Sequence, residues 1–424
     1  MTVAPSSQAP PSTISPAPIT VSANTRRRIV FFGASIAFLS FLDRAAISQA
    51  APAIIRDLHL SSVQMGLVFS AFGITYALGE IPAGWLCDRF GARLMLTRVV
   101  ILWSFFTAAT GLAWNFPSLV ASRLLFGAGE SGCFPSLARV FSDWLTPKER
   151  NSAEGIKAAS ARWGAAITPA LIAALFAFLH WRVIFAVFGA VGLIWGAAFW
   201  MAFRDRPLSG PSEYSSISWA KLARSRSAWL LGLQWFCHYY GFYFYITWLP
   251  VYLLKARGLD LRHEAAAASL PLLTAGLGSL LSGLTLPSVI RGLNSTLRAR
   301  RIFGYAAYGG AALLLAVFTQ IDNPLAAIAI LSLSSFAAEF SSPIAWTTAM
   351  DIGGKHVGSV SGLMNMLGQL GGSIAPTVTG LLLTYTGNAW NVAFYASALI
   401  YAAGALCWRF IDPVLQLDLA SDRS

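Results

Sequence analysis

The chain has 424 residues, 56% of them hydrophobic and only 11% charged, with a formal net charge of +12 and a mean hydropathy of +0.61. So little polar surface cannot coat a water-soluble body of this length. No Gly-rich phosphate loop, paired catalytic carboxylates or nucleophile elbow points to an ATPase or another enzyme.

In chain order, residues 1–25 are rich in Pro, Ser and Ala, poor in charge and without the apolar core of a signal peptide, which predicts a disordered tail. Apolar runs long enough to cross about 30 Å of hydrocarbon then occupy 29–49, 63–86, 94–113, 117–141, 155–179, 182–203, 228–254, 265–289, 302–320, 324–350, 357–384 and 389–410. They predict an all-α membrane protein of twelve transmembrane helices. A polar stretch within 204–227 separates six runs from six. The expected organisation is a tail over 1–25, a six-helix bundle over 26–206, a linker over 207–227, a second bundle over 228–412 and a tail over 413–424.

With the N-terminus placed inside, 22 of the 30 Lys and Arg fall on the inner side, five on the outer, and Arg44, Arg123 and Arg162 lie within helices. Such a bias belongs to a chain with both termini cytoplasmic, so the basic excess is a topology signal and not a nucleic-acid footprint. Cys87, Cys133, Cys237 and Cys407 show no paired spacing and indicate neither a disulfide framework nor a metal site.

Two internal echoes divide the chain. "GIKAASARWGAAITP" from Gly155 and "GLMNMLGQLGGSIAP" from Gly362 share Gly, Gly, Ile and Pro at a displacement of 207 residues, and "WRVIF" from Trp181 and "WNVAF" from Trp390 follow at 209. Two parallel six-helix units joined by a central loop imply a carrier whose site lies between them near the membrane midplane.

"GWLCDRFGAR", Gly84 to Arg93, resembles the G-x-L-x-D-R-x-G-x-R signature of the major facilitator superfamily. There, Gly84 and Gly91 permit close helix approach while Asp88, Arg89 and Arg93 form a conformational lock. The equivalent place in the second unit, "SGLTLPSVIRG", has Pro287 and Ser288 where an acid is expected. "LDRAAIS", "RLLFGAGESGCFPS", "FRDRP", "TWLPVYL" and "SGLMNMLGQLGGSIAP" are together similar to the anion:cation symporters, which include permeases for galactonate, glucarate and hexuronates and the animal vesicular glutamate carriers and sialin. The resemblance runs from about residue 28 to 410.

Charged side chains at a helix centre cost about 2.5–3.5 kcal/mol on insertion scales, so they face a polar cavity or one another. Asp43, Arg44, Glu80, Arg123, Glu130, Arg162 and Glu339 are in this position. Arg123 and Glu130, seven residues apart, fall on one helix face about 10 Å apart and border one cavity. Burial and a nearby guanidinium pull the protonation of Glu130 in opposite senses, so ligand or helix movement can switch its proton. Asp43, beside Arg44, answers to the same logic, and both match the acidic pair that the symporters use for proton coupling. Arg44 is then the clamp for a substrate carboxylate, through two parallel hydrogen bonds. Structural salt bridges between helices are the alternative for all of these.

Arg162, whose counterpart in the repeat is Gln369, either holds the second end of a dianion, balances Glu130, or pairs with Glu80 or Glu339. Glu339 and Trp346, seven apart in the tenth helix, are expected to share a face. Tyr76 and Asn365 match family positions for ligand contact, and His238 in the aromatic seventh helix either lines the cavity or packs. That helix is expected to bend or end at Pro250. These residues, with no cofactor or metal, imply a monomeric carrier in the cytoplasmic (inner) membrane that imports an organic anion such as a sugar acid together with protons. A proton-driven exporter of drugs or acids, or a membrane sensor on the same scaffold, are the alternatives.

Overall fold

The structure is a computed structural model that describes residues 22–205, 217–257 and 261–419. Apart from an isolated bridge residue, Ile217, the regular structure in these stretches is helical. The helices are α1 (Ala23–Asp57), α2 (Ser62–Phe90), α3 (Ala92–Gly111), α4 (Phe116–Glu130), α5 (Cys133–Trp144), α6 (Pro147–Phe176), α7 (Trp181–Ala202), α8 (Trp219–Arg224), α9 (Arg226–Thr247), α10 (Leu249–Lys255), α11 (Leu261–Leu293), α12 (Thr296–Phe318), α13 (Pro324–Glu339), α14 (Ser342–Gly353), α15 (Val357–Tyr385) and α16 (Trp390–Phe410). Each apolar run read from the sequence falls on one helix or on a broken pair. Among the described residues, nine helical stretches are long and apolar enough to cross a membrane, one of them, Pro324–Tyr385, continuing through α13, α14 and α15.

Local chemistry starts these helices. Ser61 with Gln64 and Asn115 with Ser118 form capping boxes at α2 and α4, Thr146 with Glu149 does so at α6, and Asn323 accepts from the first amides of α13, satisfying donors that a helix start leaves open. α1 begins at Ala23, so it reaches back into the stretch read as tail. Residues 1–21, the last residue of the expected first bundle and the first part of the expected linker, 207–216, lie outside the described residues. The C-terminal segment is held rather than free: Leu417 N–H donates to Ile352 at 2.8 Å, and Ser218 N–H donates to Leu419 at 2.8 Å.

Two runs read as single helices are broken, and a third breaks beside Pro250, where the sequence predicts a bend or end. The run 117–141 breaks at Ser131, whose backbone is extended, and Gly132, which has φ +83° in the left-handed region that glycine occupies without strain. The run 324–350 breaks at Phe340–Ser341, and 228–254 breaks at Trp248, where α10 begins with Pro250 in its first turn. Glu339 and Trp346 are therefore on separate helices, and their seven-residue spacing does not put them on one face.

Helices α1–α7 pack against the later group chiefly through α2 on α15 and α6 on α11. Gly84 makes the first crossing possible. A Cβ there would collide with the carbonyl oxygen of Gly358 and come 2.7 Å from its carbonyl carbon, and small residues are what allow such approach between membrane helices. Gly84→Ala is expected to cost about 1–3 kcal/mol, because backbone cannot yield as a side-chain tip does. The check is the midpoint of thermal unfolding in detergent; an unchanged midpoint would mean that the helices separate freely here.

Candidate substrate and coupling site

At the end of the bundle that carries the chain termini, Asp88 closes the seam between the two groups. Its carboxylate accepts from the backbone N–H of Gly358 at 2.8 Å and of Ser359 at 2.7 Å, and from Ser359 Oγ at 2.8 Å. Those amides belong to the first turn of α15, whose positive end favours an anion. The ion-pair partner of Asp88 is Arg139 of α5, at 3.5 Å, and not Arg89 or Arg93. Arg89 is exposed and lies over Trp85 and Phe90. Arg93 stacks on Trp200, 3.8 Å from its centroid, and its N–H donates to Asp205 at 2.9 Å. Asp205, in "FRDRP", thus holds the turn after Gly91, a role that no spacing in the sequence indicates. In the later group, where Pro287 and Ser288 offer no acid, Asp351 on α14 is bound by Arg150 at 3.2 Å and Arg300 at 2.5 Å.

Asp88→Asn removes the charge that holds Arg139 and one of the oxygens that caps α15. The expected effect is about 1–2 kcal/mol against this closed seam, a five- to thirty-fold shift in population, read as faster reaction of cysteine probes placed at the termini end. Unchanged probe rates would mean that the contact does not hold the seam.

Deeper in the bundle, Arg44 on α1 donates through Nε to Glu130 Oε1 at 2.9 Å, and Ser40 Oγ donates to the same oxygen at 2.5 Å. Glu130 is the last residue of α4 and is fully buried. Its second oxygen and Arg44 Nη2 are buried without a hydrogen-bond partner. The Arg44 guanidinium lies 4.3 Å from the Tyr76 ring centroid and 5.2 Å from those of Phe41 and Phe72. Arg123, which the spacing placed on the same helix face as Glu130, sits over Phe126 at 4.2 Å, within electrostatic reach of Glu130 and Asp43. Asp43 accepts from Trp103 Nε1 at 2.8 Å.

A second cluster lies beside the first. Arg162 on α6 donates through Nε to Glu339 Oε1 at 2.6 Å, His238 Nε2 stands 3.2 Å from the same oxygen, and Ser279 Oγ donates to Oε2 at 3.0 Å. Of the partners open to Arg162, the structure selects Glu339. The His238 ring stacks on Trp235 at 4.5 Å. Glu130 and Glu339, each the last residue of its helix, are 209 residues apart, the displacement already seen between Trp181 and Trp390. Asn365 Nδ2 donates to Tyr76 Oη at 3.1 Å and its Oδ1 accepts from Trp235 at 3.2 Å. Glu80 lies close to both, facing the Gly132 amide at 3.5 Å where α5 begins. Gln369 is buried beside Tyr243.

One pair escaped the sequence reading. Lys157, not among the cations placed within helices, is 1% exposed, 2.5 Å from the buried Glu154, with its ammonium 4.1 Å from the Trp346 ring centroid. The i,i+3 spacing was visible, but the fifth helix was begun at 155, whereas α6 begins at Pro147.

Paired charges are thus buried in the helical bundle with open donor and acceptor atoms beside them. A family model described as Major Facilitator Superfamily matches residues 33–376. The chain belongs to that superfamily and, within it, to the anion:cation symporter type; it is a membrane transporter and not an enzyme. It is 33% identical over 419 residues to a Cupriavidus necator protein named "Probable sulfoacetate transporter SauU", covering 94% of this chain and 97% of that one. It is 28% identical over 391 residues to the hexuronate transporter of Bacillus subtilis, covering 89% and 92%. The fold matches that of the human organic anion transporter MFSD10 with a TM-score of 0.76 at 17% identity, over 90% of this chain and 99% of that one.

Proposed function

We propose that the protein imports a small organic carboxylate, a sugar acid or a related mono- or dicarboxylate, by proton symport with alternating access. The observation that carries this is the buried Arg44–Glu130 pair, which leaves one donor and one acceptor open. An ionised Glu130 occupies Arg44 and competes with an incoming carboxylate. A proton on Glu130 removes that competition, and the guanidinium then takes the ligand through two parallel hydrogen bonds. Asp43, within electrostatic reach of Glu130, is the second proton site. Tyr76, Asn365 and Gln369 offer hydrogen bonds to hydroxyl groups. Relatives named for sulfoacetate, hexuronate and galactonate support a substrate with at least one acidic group.

In this reading residues 26–206 and 228–412 rock as two bundles about the site, with the Asp88 seam on the cytoplasmic side, both termini cytoplasmic, and a monomer in the inner membrane sufficient for transport. The test is uptake into proteoliposomes under an imposed pH gradient, screened over sugar acids, dicarboxylates, sulfonated acids and aromatic acids. Accumulation against the ligand gradient that collapses with the proton gradient supports symport. Accumulation only with the gradient reversed means export, and binding without flux means a sensor.

A further inference from the structure

Arg162 stands before the linker and Glu339 after it, so their ion pair joins the two groups of helices at the level of the central site. Three groups converge on the Glu339 carboxylate: Arg162, His238 and Ser279. Arg162 is 3% exposed, yet its Nη1 has no hydrogen-bond partner, and its guanidinium carbon lies 3.6 Å from the Phe242 ring centroid. Arg44 likewise keeps Nη2 open. Both guanidinium carbons are 5.2 Å from the centroid of Phe41, which bounds their separation at twice that distance. Tyr239 and Tyr243 on α9 lie within electrostatic reach of both.

Building on the carboxylate reading of Arg44, we propose that the ligand is a dianion whose second acidic group binds Arg162, and that Glu339 is a tethered competitor for that place. A buried guanidinium left alone is costly, so an empty carrier needs an internal anion at Arg162, and Glu339 fills the role. A ligand with a second carboxylate or a sulfonate enters at Nη1 and draws the guanidinium from Glu339, which His238 and Ser279 retain on the side of the later helices. A monoanion reaches Arg44 and leaves the Arg162–Glu339 pair across the seam intact. Selectivity for dianions then comes from the pair that must be opened, and not only from the charge that is offered.

The test is competition by a monocarboxylate and its dicarboxylate analogue against a labelled substrate found in the uptake screen, using purified protein in detergent. Glu339→Gln removes the competing charge and is expected to raise dicarboxylate affinity about tenfold while monocarboxylate affinity changes less than about twofold. Glu339→Asp, which keeps the charge, should retain the wild-type ratio of the two. Arg162→Gln with Glu339→Gln removes the pair together, keeps the interior uncharged there, and should abolish the preference for the dicarboxylate. Equal shifts for both ligands in Glu339→Gln, or a preference surviving in the double variant, would overturn the inference while leaving the Arg44 clamp standing. Failure of both ligands to bind the wild-type protein would remove the clamp and this inference together.

Discussion

Replacing Glu130 with Gln is expected to abolish proton-driven accumulation while substrate exchange down its own gradient stays within about threefold of the wild-type rate, a change of less than 1 kcal/mol. Gln has the shape of a protonated Glu, and its oxygen can still accept from Ser40 and Arg44 where Oε1 does now. What it loses is the ability to become an anion and take Arg44 back when the ligand leaves. Uptake should therefore stop at equal concentrations on both sides. Counterflow and gradient-driven uptake in proteoliposomes separate the two effects. Full accumulation by this variant would remove Glu130 from coupling, and loss of counterflow would make it a structural residue.

Arg44→Lys is expected to weaken substrate binding by about 1.5–3 kcal/mol, roughly ten- to a hundredfold, though the charge is kept. A guanidinium can hold Glu130 through Nε while presenting Nη2 to a ligand, in one plane and against the rings of Tyr76, Phe41 and Phe72. An ammonium is a point charge and cannot hold both partners with the same geometry. Lys at this position should sit on Glu130 and compete poorly for the ligand. Titration of ligand-induced tryptophan fluorescence would measure it, and wild-type affinity would mean that the carboxylate is clamped elsewhere.

The spans, the Gly84–Arg93 motif and the membrane-embedded charges are all legible in the sequence, because each is a local pattern of polarity. Pairing is not local. Helical spacing could say only that Arg123 and Glu130 share a face, whereas the bonded partner of Glu130 comes from α1, a contact that only packing decides. Helix breaks are also hidden from hydropathy, since an apolar run reads alike through a kink. The signal that marked the break at Pro250 was present at the other two as well: Pro135 and Pro343, like Pro250, lie in the first turn after a break, where proline is tolerated. Lys157 and Glu154 were missed for a different reason. Paired charges at a helix start look like surface, and nothing in their spacing says that Trp346 covers them.

The buried charges away from the two ends of the bundle constrain how many protons can travel. Five carboxylates, Asp43, Glu80, Glu130, Glu154 and Glu339, are enclosed there with the basic side chains Arg123, Arg162 and Lys157, and the Arg44 side chain, 10% exposed, joins them. With every carboxylate ionised and His238 neutral, the empty interior carries one negative charge more than positive. A monoanion would bring that excess to two, and in a medium of low dielectric such an excess is expensive. On the proposed symport, and from that fully ionised state, neutral loading of a monoanion would take two protons, the number that Asp43 and Glu130 together can take. Such a cycle moves one net positive charge inward with each monoanion, so a negative-inside membrane voltage would drive it even at equal pH. A dianion carried with the same two protons would be electrically silent.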